Sequence, residues 1–291
     1  MRAPPAPTVT TAVMSHRWRQ MSFLHWRYPV DAVQPLLPDG LVVHTFDGGA
    51  WIGMLPFLMD DVRPPRAPSL PWLSRFPETN LRTYVRGPDG GSGIWFFSLD
   101  AARLPAVAAA RLSLGLPYCW SDMSLHADDD AMVYRGRRRL PGPPGVGYEV
   151  RMRFGAAYAE EQLGPLDHFL TARYRLYSRV RGRLVAVDVQ HPPWPLRRAE
   201  LVELRQDLTR AAGLPTPRGA PLLHASSGVQ VRIGVPHLAG ARSSQVIANP
   251  AGGTSLRAGD PPQASRQARK GNRTSSSTRA CWRSSSRRSP R

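Results

Sequence analysis

FPETNLRTYVRGPDGGSGIWFFSLDA, residues 76–101, is the stretch that decides the fold of this 291-residue chain. Two runs rich in β-branched and aromatic residues, 78–87 and 93–100, flank the turn PDGGS. Two such runs joined by a short Gly-containing turn are typical of a β-hairpin. We therefore predict two antiparallel strands here, in a fold built mainly from strands.

Strand-like runs continue along the chain in both directions from this hairpin. The sequence predicts further strands at 41–46 and 50–59 around DGG, at 119–127 and 131–139 around DDD, at 148–156 and at 183–191. Helical signals are few, and they lie at 30–36, at 166–173 and in the segment that ends at Gly115. The expected fold class is mainly β (α+β) with a few peripheral helices.

A helix with a defined end precedes Tyr118. In ARLSLGLPYCW (110–120), Gly115 provides the left-handed residue that follows a helix, and Pro117 prevents continuation. Pro105 suits the first turn of the same helix, where its missing N–H is not needed, so the helix starts either near Leu104 or at Asp100 with a kink at Pro105. The helical spacing predicts that one mostly apolar stripe packs on the core: Leu104, Val107, Ala108, Arg111 and Leu112. The chain then presents Tyr118 in an extended conformation.

Four polar side chains share one face of the strand 78–87. Residues two apart lie on the same face of a strand, and this face carries Glu78, Asn80, Arg82 and Tyr84. Two interpretations are open. The face is either the solvated outside of a half-buried sheet or the lining of a barrel interior or cleft. In the second case Glu78 and Arg82 would form a paired site with perturbed pKa values.

The stretch HPPWP (191–195) ends a strand, because three of its five residues lack a backbone N–H. It predicts a rigid corner, with Trp194 as a packing wedge or a lid. His191 is a candidate acid or base without an evident partner in the sequence. RGRRR (135–139) is expected to be a charged face near the end of a strand.

Arginine supplies almost all of the positive charge, which totals +18. All but one of the 39 basic residues are Arg, and the exception is Lys270. Residues 1–269 therefore offer no side-chain amine, which excludes Schiff-base catalysis by that part of the chain. The two cysteines, Cys119 and Cys281, are too few for a disulfide framework. The eight His residues lack the spacing of a metal site, so no metal or other cofactor is predicted.

Composition divides the chain into three parts. Residues 1–14 are rich in Pro, Ala and Thr and are expected to be a disordered extension, with Met14 as an alternative start. Residues 15–235 carry the strand patterns of one domain. Residues 236–291 hold eleven basic residues against one acid, Asp260, and are expected to be a disordered Arg/Ser-rich tail or the product of out-of-frame translation. Such a tail would bind nucleic acid weakly and without sequence specificity.

Membrane and secretion signals are absent from the sequence. No apolar run reaches the roughly 20 residues that a membrane span requires, and the opening residues lack the apolar core of a signal peptide. A cytoplasmic protein without a membrane partner is expected. The oligomeric state is left open.

Eight blocks in order across residues 15–235 resemble the YqjF-like family of uncharacterised bacterial proteins, a domain of unknown function. The blocks are FLHW, LLPDGL, DGGAWIGMLPF, FPETNLRTYVRG, WFFSLDA, GLPY, YRLYSR and HPPWPL. That family is similar to the acetoacetate decarboxylase superfamily. The resemblance therefore implies a closed, cone-like antiparallel β-barrel around a ligand cavity.

The same resemblance implies roles for two residues. FPETN places Glu78 where the decarboxylases carry a strand Glu, and GLPY (115–118) resembles their Gly-x-Pro-Lys turn, with Tyr118 at the position of the Schiff-base Lys. A phenol cannot form an imine, but it can donate a hydrogen bond to a carbonyl oxygen or act as a general acid.

The sequence thus predicts a pocket that binds a small carbonyl- or carboxylate-bearing molecule, such as an organic acid or a ketone, without Schiff-base chemistry. Arg82 would bind the anion, Glu78 would be a base or acid, and Tyr118 would donate a hydrogen bond. The other predicted pocket residues are Asn80, Tyr84, His191 and Trp194. Two alternatives are a non-imine lyase, hydratase or isomerase that uses Glu78 and Tyr118, and weak nucleic-acid binding through the basic tail.

Overall fold

The computed structural model describes residues 6–70 and 72–240. Its helices and strands, in chain order, are β1 Ala12–Tyr28, α1 Val30–Val33, β2 Val42–Val43, β3 Ala50–Arg63, β4 Phe76–Arg86, β5 Ser92–Ala101, α2 Leu104–Leu114, β6 Tyr118–Asp128, β7 Ala131–Leu140, β8 Gly147–Ala157, α3 Pro165–Thr171, β9 Arg175–Val180, β10 Arg183–Gln190, β11 Leu196–Gln206, α4 Leu208–Ala211, β12 Leu222–Gly234 and β13 His237–Leu238. The predicted mainly β fold class is confirmed. None of these helices is long and apolar enough to cross a lipid bilayer.

The thirteen strands of the described residues belong to one sheet, which closes on itself only in part. Strands β1, β3 and β4 lie side by side and form the central layer, with β12 beyond β1 and β5 beyond β4. Two routes lead from β5 back to β12. The shorter route passes through β9 and β10, and the longer one through β6, β7, β8 and β11. The central layer therefore lies between a shorter and a longer ring of strands.

Both faces of β4 are buried because each ring covers one of them. Glu78, Asn80, Arg82 and Tyr84 lie on one face, and every one is less than a tenth exposed. On the other face, Leu81 packs in a hydrophobic cluster with Tyr134 of β7 and with Tyr148 and Met152 of β8. The interpretation of the polar face as a solvated outer surface is therefore wrong.

Strand β5 is the point where the antiparallel pattern is interrupted. It pairs in parallel with β6 over Leu99–Ala101 and with β9 over Ile94–Trp95. The strand predicted at 41–46 is reduced to β2 and an isolated bridge between Phe46 and Gly49. Strands β1, β9, β11, β12 and β13 were not predicted from the sequence.

Ordered structure extends beyond both boundaries predicted for the domain. Strand β1 already begins at Ala12, and the buried Val9 donates its N–H to Oε1 of Gln190 at 3.1 Å. Strand β13 pairs with β10 beyond residue 235. Residues 241–291, which carry most of the predicted tail and the predicted nucleic-acid binding, lie outside the described residues, as do residues 1–5.

Helix α2 begins at Leu104, the first of the two starts left open by the sequence, and ends where the sequence predicts, but it turns a different face to the core. Gly115 follows it in the left-handed conformation, with φ at 61°. The buried side of the helix consists of Ala106, Val107, Ala110 and Leu114. Leu112 of the predicted stripe is 86% exposed. The stripe was misplaced because successive helical residues differ by about 100°, so an error of one residue moves the face by that angle.

Candidate functional site

A cavity of about 360 Å³ lies inside the shorter ring. Each strand of that ring contributes to its wall, and α2 covers one side with Ala106, Ala110 and Leu114. Most of the lining side chains are apolar. The polar side chains include Glu78, Asn80, Arg82, Tyr118, Arg173 and His191. The structure therefore brings together six of the seven predicted site residues: Glu78, Asn80, Arg82, Tyr118, His191 and Trp194.

Tyr84 is the predicted residue that does not line the cavity. Its hydroxyl donates a hydrogen bond to the carbonyl oxygen of Leu170 at 2.9 Å and lies 2.7 Å from Nε2 of His25. Both contacts fix it among aromatic residues under α3. Tyr84 thus lies on the cavity face of β4 but contacts His25 and α3 instead of lining the cavity.

The turn after α2 delivers Tyr118 to the cavity. Gly115 is required there, because a Cβ at this position would overlap the backbone carbonyl of Arg179. The Arg111 side chain donates a hydrogen bond to the carbonyl oxygen of Tyr118 at 2.6 Å. Residue 118 then enters β6 opposite Leu99 of β5. The predicted helix, stop and extended Tyr118 are all present in the structure.

Glu78 and Tyr118 form a hydrogen-bonded pair. The Tyr118 hydroxyl donates to Oε2 of Glu78 at 3.1 Å. Burial raises the pKa of Glu78 to about 8; the hydrogen bond from Tyr118 opposes this shift, and the charge of Asp100 adds to it. Burial, followed by the adjacent Glu78 carboxylate, raises the pKa of Tyr118 well above its usual value. Near neutral pH, Glu78 therefore exists in both protonation states while Tyr118 keeps its proton.

The predicted ion pair between Glu78 and Arg82 is not present. Arg82 donates through Nη2 to the carbonyl oxygen of Leu170 at 3.2 Å, and it belongs to none of the ion pairs among the described residues. The two side chains lie four residues apart on the strand, about 13 Å between Cα atoms. The pKa of Glu78 is perturbed by burial instead.

A second arginine, Arg173, lines the same cavity and was not predicted. It follows α3, and its Nε donates to the carbonyl oxygen of Phe169 at 2.7 Å. Burial lowers its pKa to about 10; nearby Tyr84 opposes this shift, and the charge of Arg82 adds to it. Arg173 also has no acidic partner among the described residues. Its local sequence does not distinguish it from the many other Arg residues.

Several polar atoms of the lining have no partner. Nε of Arg82 and Oδ1 of Asn80 are buried and make no hydrogen bond, and the same holds for Nδ1 of His16 and Nε1 of Trp18 on β1. All four side chains line the cavity. Buried polar groups without partners are uncommon in proteins, and their concentration here is typical of a binding site.

His191 and Trp194 form the corner that the sequence predicted. The Trp194 ring stacks on Trp18 with 6.0 Å between centroids. The two ring nitrogens of His191 lie 2.7 Å from the carbonyl oxygen of Pro192 and 3.3 Å from that of Arg173. Burial lowers the pKa of His191. Because its ring nitrogens face the carbonyl oxygens of Pro192 and Arg173, His191 is a positioning element for the segment at Arg173.

The run RGRRR lies in β7, as a charged strand segment, and one of its arginines is buried. Arg138 is 9% exposed and makes a two-bond ion pair with Asp100, at 2.7 and 2.8 Å. Ser121 donates a third hydrogen bond to Asp100 at 2.8 Å. This group lies directly behind Glu78, since Asp100 pairs with Thr79 across β4 and β5.

Metal-ligating side chains do not gather anywhere in the described part of the chain. No three His, Cys, Asp or Glu residues are placed there so that they could hold a metal ion. Cys119, next to Tyr118, is a buried free thiol.

The matches to known proteins cover most of the domain. Residues 15–230 match the family DUF2071, described as an uncharacterized conserved protein. The chain belongs to the DUF2071 family. It is 38% identical over 212 residues to the uncharacterized protein YqjF of Bacillus subtilis, a match that covers 73% of this chain and 86% of that protein. The resemblance to the YqjF-like family stated from the sequence is confirmed.

Solved structures with the same fold as this DUF2071 chain are acetoacetate decarboxylase-like. The acetoacetate decarboxylase of Legionella pneumophila matches with a TM-score of 0.53 at 13% identity, covering 82% of this chain and 92% of that one. The enduracididine biosynthesis enzyme MppR, in complex with pyruvate, matches with a TM-score of 0.53 at 16% identity, covering 78% and 91%. At such identities the matches establish a shared fold, and the chemistry of this DUF2071 member has to be argued from its own cavity.

Proposed function

We propose that the cavity binds a small organic acid or oxo acid through its carboxylate. The observation that carries this proposal is the pair of buried guanidinium groups, Arg82 and Arg173, which line one cavity without an acidic partner among the described residues. A buried charge is costly unless it is paired. A bound carboxylate would supply the missing negative charge.

The unpartnered atoms favour a ligand at the same place. Nε of Arg82 is a donor that would bind a carboxylate oxygen, and its planar group suits a two-bond contact. Oδ1 of Asn80 is an acceptor as placed, and its amide can rotate to offer N–H donors instead. MppR was solved with pyruvate bound in the same fold, which is consistent with an acid ligand.

Tyr118 and Glu78 are proposed to contact the carbonyl oxygen of an oxo acid. Tyr118 retains its proton, and Glu78 in its protonated form also has a donor. Either group would polarise a carbonyl by donating a hydrogen bond. The cavity wall offers no side-chain amine for imine formation, because the chain's single lysine, Lys270, lies outside the described residues. The proposed chemistry therefore excludes a Schiff base.

The Glu78–Tyr118 pair also supports an enzymatic alternative. A carboxyl with a pKa near 8 can accept a proton from the carbon next to a carbonyl and return it, with Tyr118 donating to the developing enolate oxygen. This is proton transfer of the kind used by lyases and isomerases. In deuterium oxide, bound pyruvate would exchange its methyl hydrogens faster with the native chain than with Glu78→Gln, as measured by NMR. Equal exchange rates would contradict the enzymatic alternative.

Binding of acids to an arginine variant tests the main proposal. Arg82→Gln should weaken the binding of pyruvate and of 3-oxobutanoate by roughly 10- to 100-fold, because a charged hydrogen bond is lost. Isothermal titration calorimetry measures the dissociation constants. The matched control is Arg86→Gln, which removes an exposed arginine of the same strand outside the cavity and should leave the affinity unchanged. Equal affinities for native chain and Arg82→Gln would refute the carboxylate site.

A further inference from the structure

We propose that the natural ligand is a monocarboxylic acid with a large apolar body, such as an acyl chain of about eight carbons or an aryl group. The inference rests on the carboxylate site proposed above and adds the chemical class of the molecule that occupies it. A compact oxo acid such as pyruvate would fill only the polar part of the cavity.

Polarity is distributed unevenly over the cavity wall. The two arginines lie where β4 faces α3, with Arg82 donating to the carbonyl oxygen of Leu170 and Arg173 to that of Phe169. Along β4, Phe76 lies six residues from Arg82, which is about 20 Å along an extended strand. The wall on the Phe76 side is apolar, and it includes Met14 and Met59. Ile94 and Phe96 of β5 extend the apolar wall opposite Tyr84 and Arg82. A ligand that matches this wall has one charged end and a hydrocarbon remainder.

The volume of the cavity is also larger than a short acid can fill. At about 360 Å³ it lies in the range of roughly 300–1,000 Å³ that holds drug-sized ligands. Pyruvate has six non-hydrogen atoms, so most of the apolar wall would face water. Water in an apolar cavity lacks hydrogen-bond partners and is readily displaced by hydrocarbon.

Helix α2 makes room for the apolar body by its choice of side chains. Where it faces the cavity it carries Ala106, Ala109 and Ala110, and Leu114 lies at its end. Small side chains on a helix allow the helix backbone to lie close to the cavity and still leave space for a ligand. Two larger apolar residues of the same helix, Leu104 and Leu112, point to solvent and do not fill this space.

A series of straight-chain acids tests the length of the ligand. Butanoate, hexanoate, octanoate and decanoate are titrated into the full chain, with tryptophan fluorescence as the signal, since Trp18 and Trp194 line the cavity. Each added methylene should lower the dissociation constant about fourfold until the cavity is filled. The matched 1-alkanols should bind at least about tenfold more weakly than the acids, because they lack the carboxylate.

Two alanine variants of α2 provide the matched control. Ala110→Leu places extra volume in the apolar part, and it should weaken octanoate and decanoate by about tenfold or more while changing butanoate by less than about twofold. Ala108→Leu makes the same substitution on the exposed side of the helix and should change neither. Loss of folding in Ala110→Leu would show as weaker binding of butanoate too. In that case the chain-length series of the native protein alone tests whether the ligand has a large apolar body.

The outcomes separate this inference from the carboxylate site itself. Affinity that is independent of chain length but lost in Arg82→Gln would overturn the large apolar body and leave the carboxylate site intact. Alkanols that bind as tightly as the acids, or the absence of binding by every acid, would overturn both. A rising series that depends on both Arg82 and Ala110 supports both.

Discussion

Glu78 shows how a single buried carboxyl links the site to the stability of the protein. Its side chain is 3% exposed, and burial outweighs the hydrogen bond from Tyr118 in setting its pKa. The folded protein thus retains a proton that the unfolded chain releases. Burial thus makes Glu78 a general acid or base near neutral pH, and it also lowers the free energy of unfolding of the protein.

The stability of the protein should fall as pH rises through neutrality because of Glu78. The carboxyl has a pKa of about 8 when folded and an ordinary value of 4.5, so the folded state binds more protons between these values. The free energy of unfolding therefore decreases from about pH 4.5 to about pH 8, by an amount on the order of 5 kcal/mol. Below about pH 4.5 both states are protonated and the contribution is constant. Urea unfolding from pH 5 to 9 measures the slope.

Replacing the carboxyl by an amide isolates this contribution. Glu78→Gln keeps an acceptor for Tyr118 but cannot ionise, so its stability should be flatter between pH 5 and 8 and should exceed that of the native chain at pH 8.5. Glu161→Gln, at an exposed position, should retain the native slope. A Glu78→Gln protein with the native pH dependence would show that Glu78 is not the group responsible.

The sequence could predict site residues where the signal comes from neighbouring residues on the same strand. Glu78, Asn80 and Arg82 were found together because strand periodicity places them on one face. Arg173 and the buried Arg138 were missed, since each owes its position to partners far away in the sequence. The separation of Glu78 from Arg82 was also missed, because a shared face fixes direction but not contact.

At the scale of elements, the end of α2 is the feature that places Tyr118. The left-handed Gly115 ends the helix, and the next strand starts three residues later. This stop was predictable because Gly and Pro act on their own backbone. Strand β11 was not predictable in the same way, because its sequence LRRAELVELRQ consists mostly of good helix formers. Its pairing with β8 and β12 overrides that propensity.

Substitution of Gly115 should be more damaging than that of another left-handed glycine. Gly115→Ala adds a methyl group against the backbone carbonyl of Arg179 and also incurs the cost of a left-handed alanine. Gly182→Ala incurs only the second cost, of about 1–2 kcal/mol, because nothing lies within 4 Å of a Cβ there. We expect Gly115→Ala to lower the free energy of unfolding by about 3 kcal/mol or more. Equal losses in chemical denaturation would contradict the steric argument.

At the scale of the whole molecule, the central layer separates a cavity from a packed core. One face of β4 lines the cavity of the shorter ring, and the other face joins the hydrophobic cluster of the longer ring. Alternation of polar and apolar residues usually marks a strand with one wet face. Here the polar face is interior. The sequence could therefore indicate the strand β4 and its two faces. It could not indicate that β4 lies between two rings, because that position depends on pairings between strands far apart in the sequence.

The buried ion pair of Asp100 and Arg138 connects the cavity side of the fold to the packed core, and a double-mutant cycle should test it. It joins β5 to β7 behind Glu78, and Asp100 is 1% exposed. Asp100→Asn leaves the Arg138 charge uncompensated, so we expect a loss of about 3–5 kcal/mol, most of which the double variant Asp100→Asn with Arg138→Met should recover. The exposed pair Arg135–Glu149, tested by the same double-mutant cycle, should couple far more weakly. Asp100→Asn should also lower the pKa of Glu78, because the Asp100 charge raises it. Additive losses in the cycle, with an unchanged Glu78 titration, would show that the two halves of the fold are energetically independent at this point.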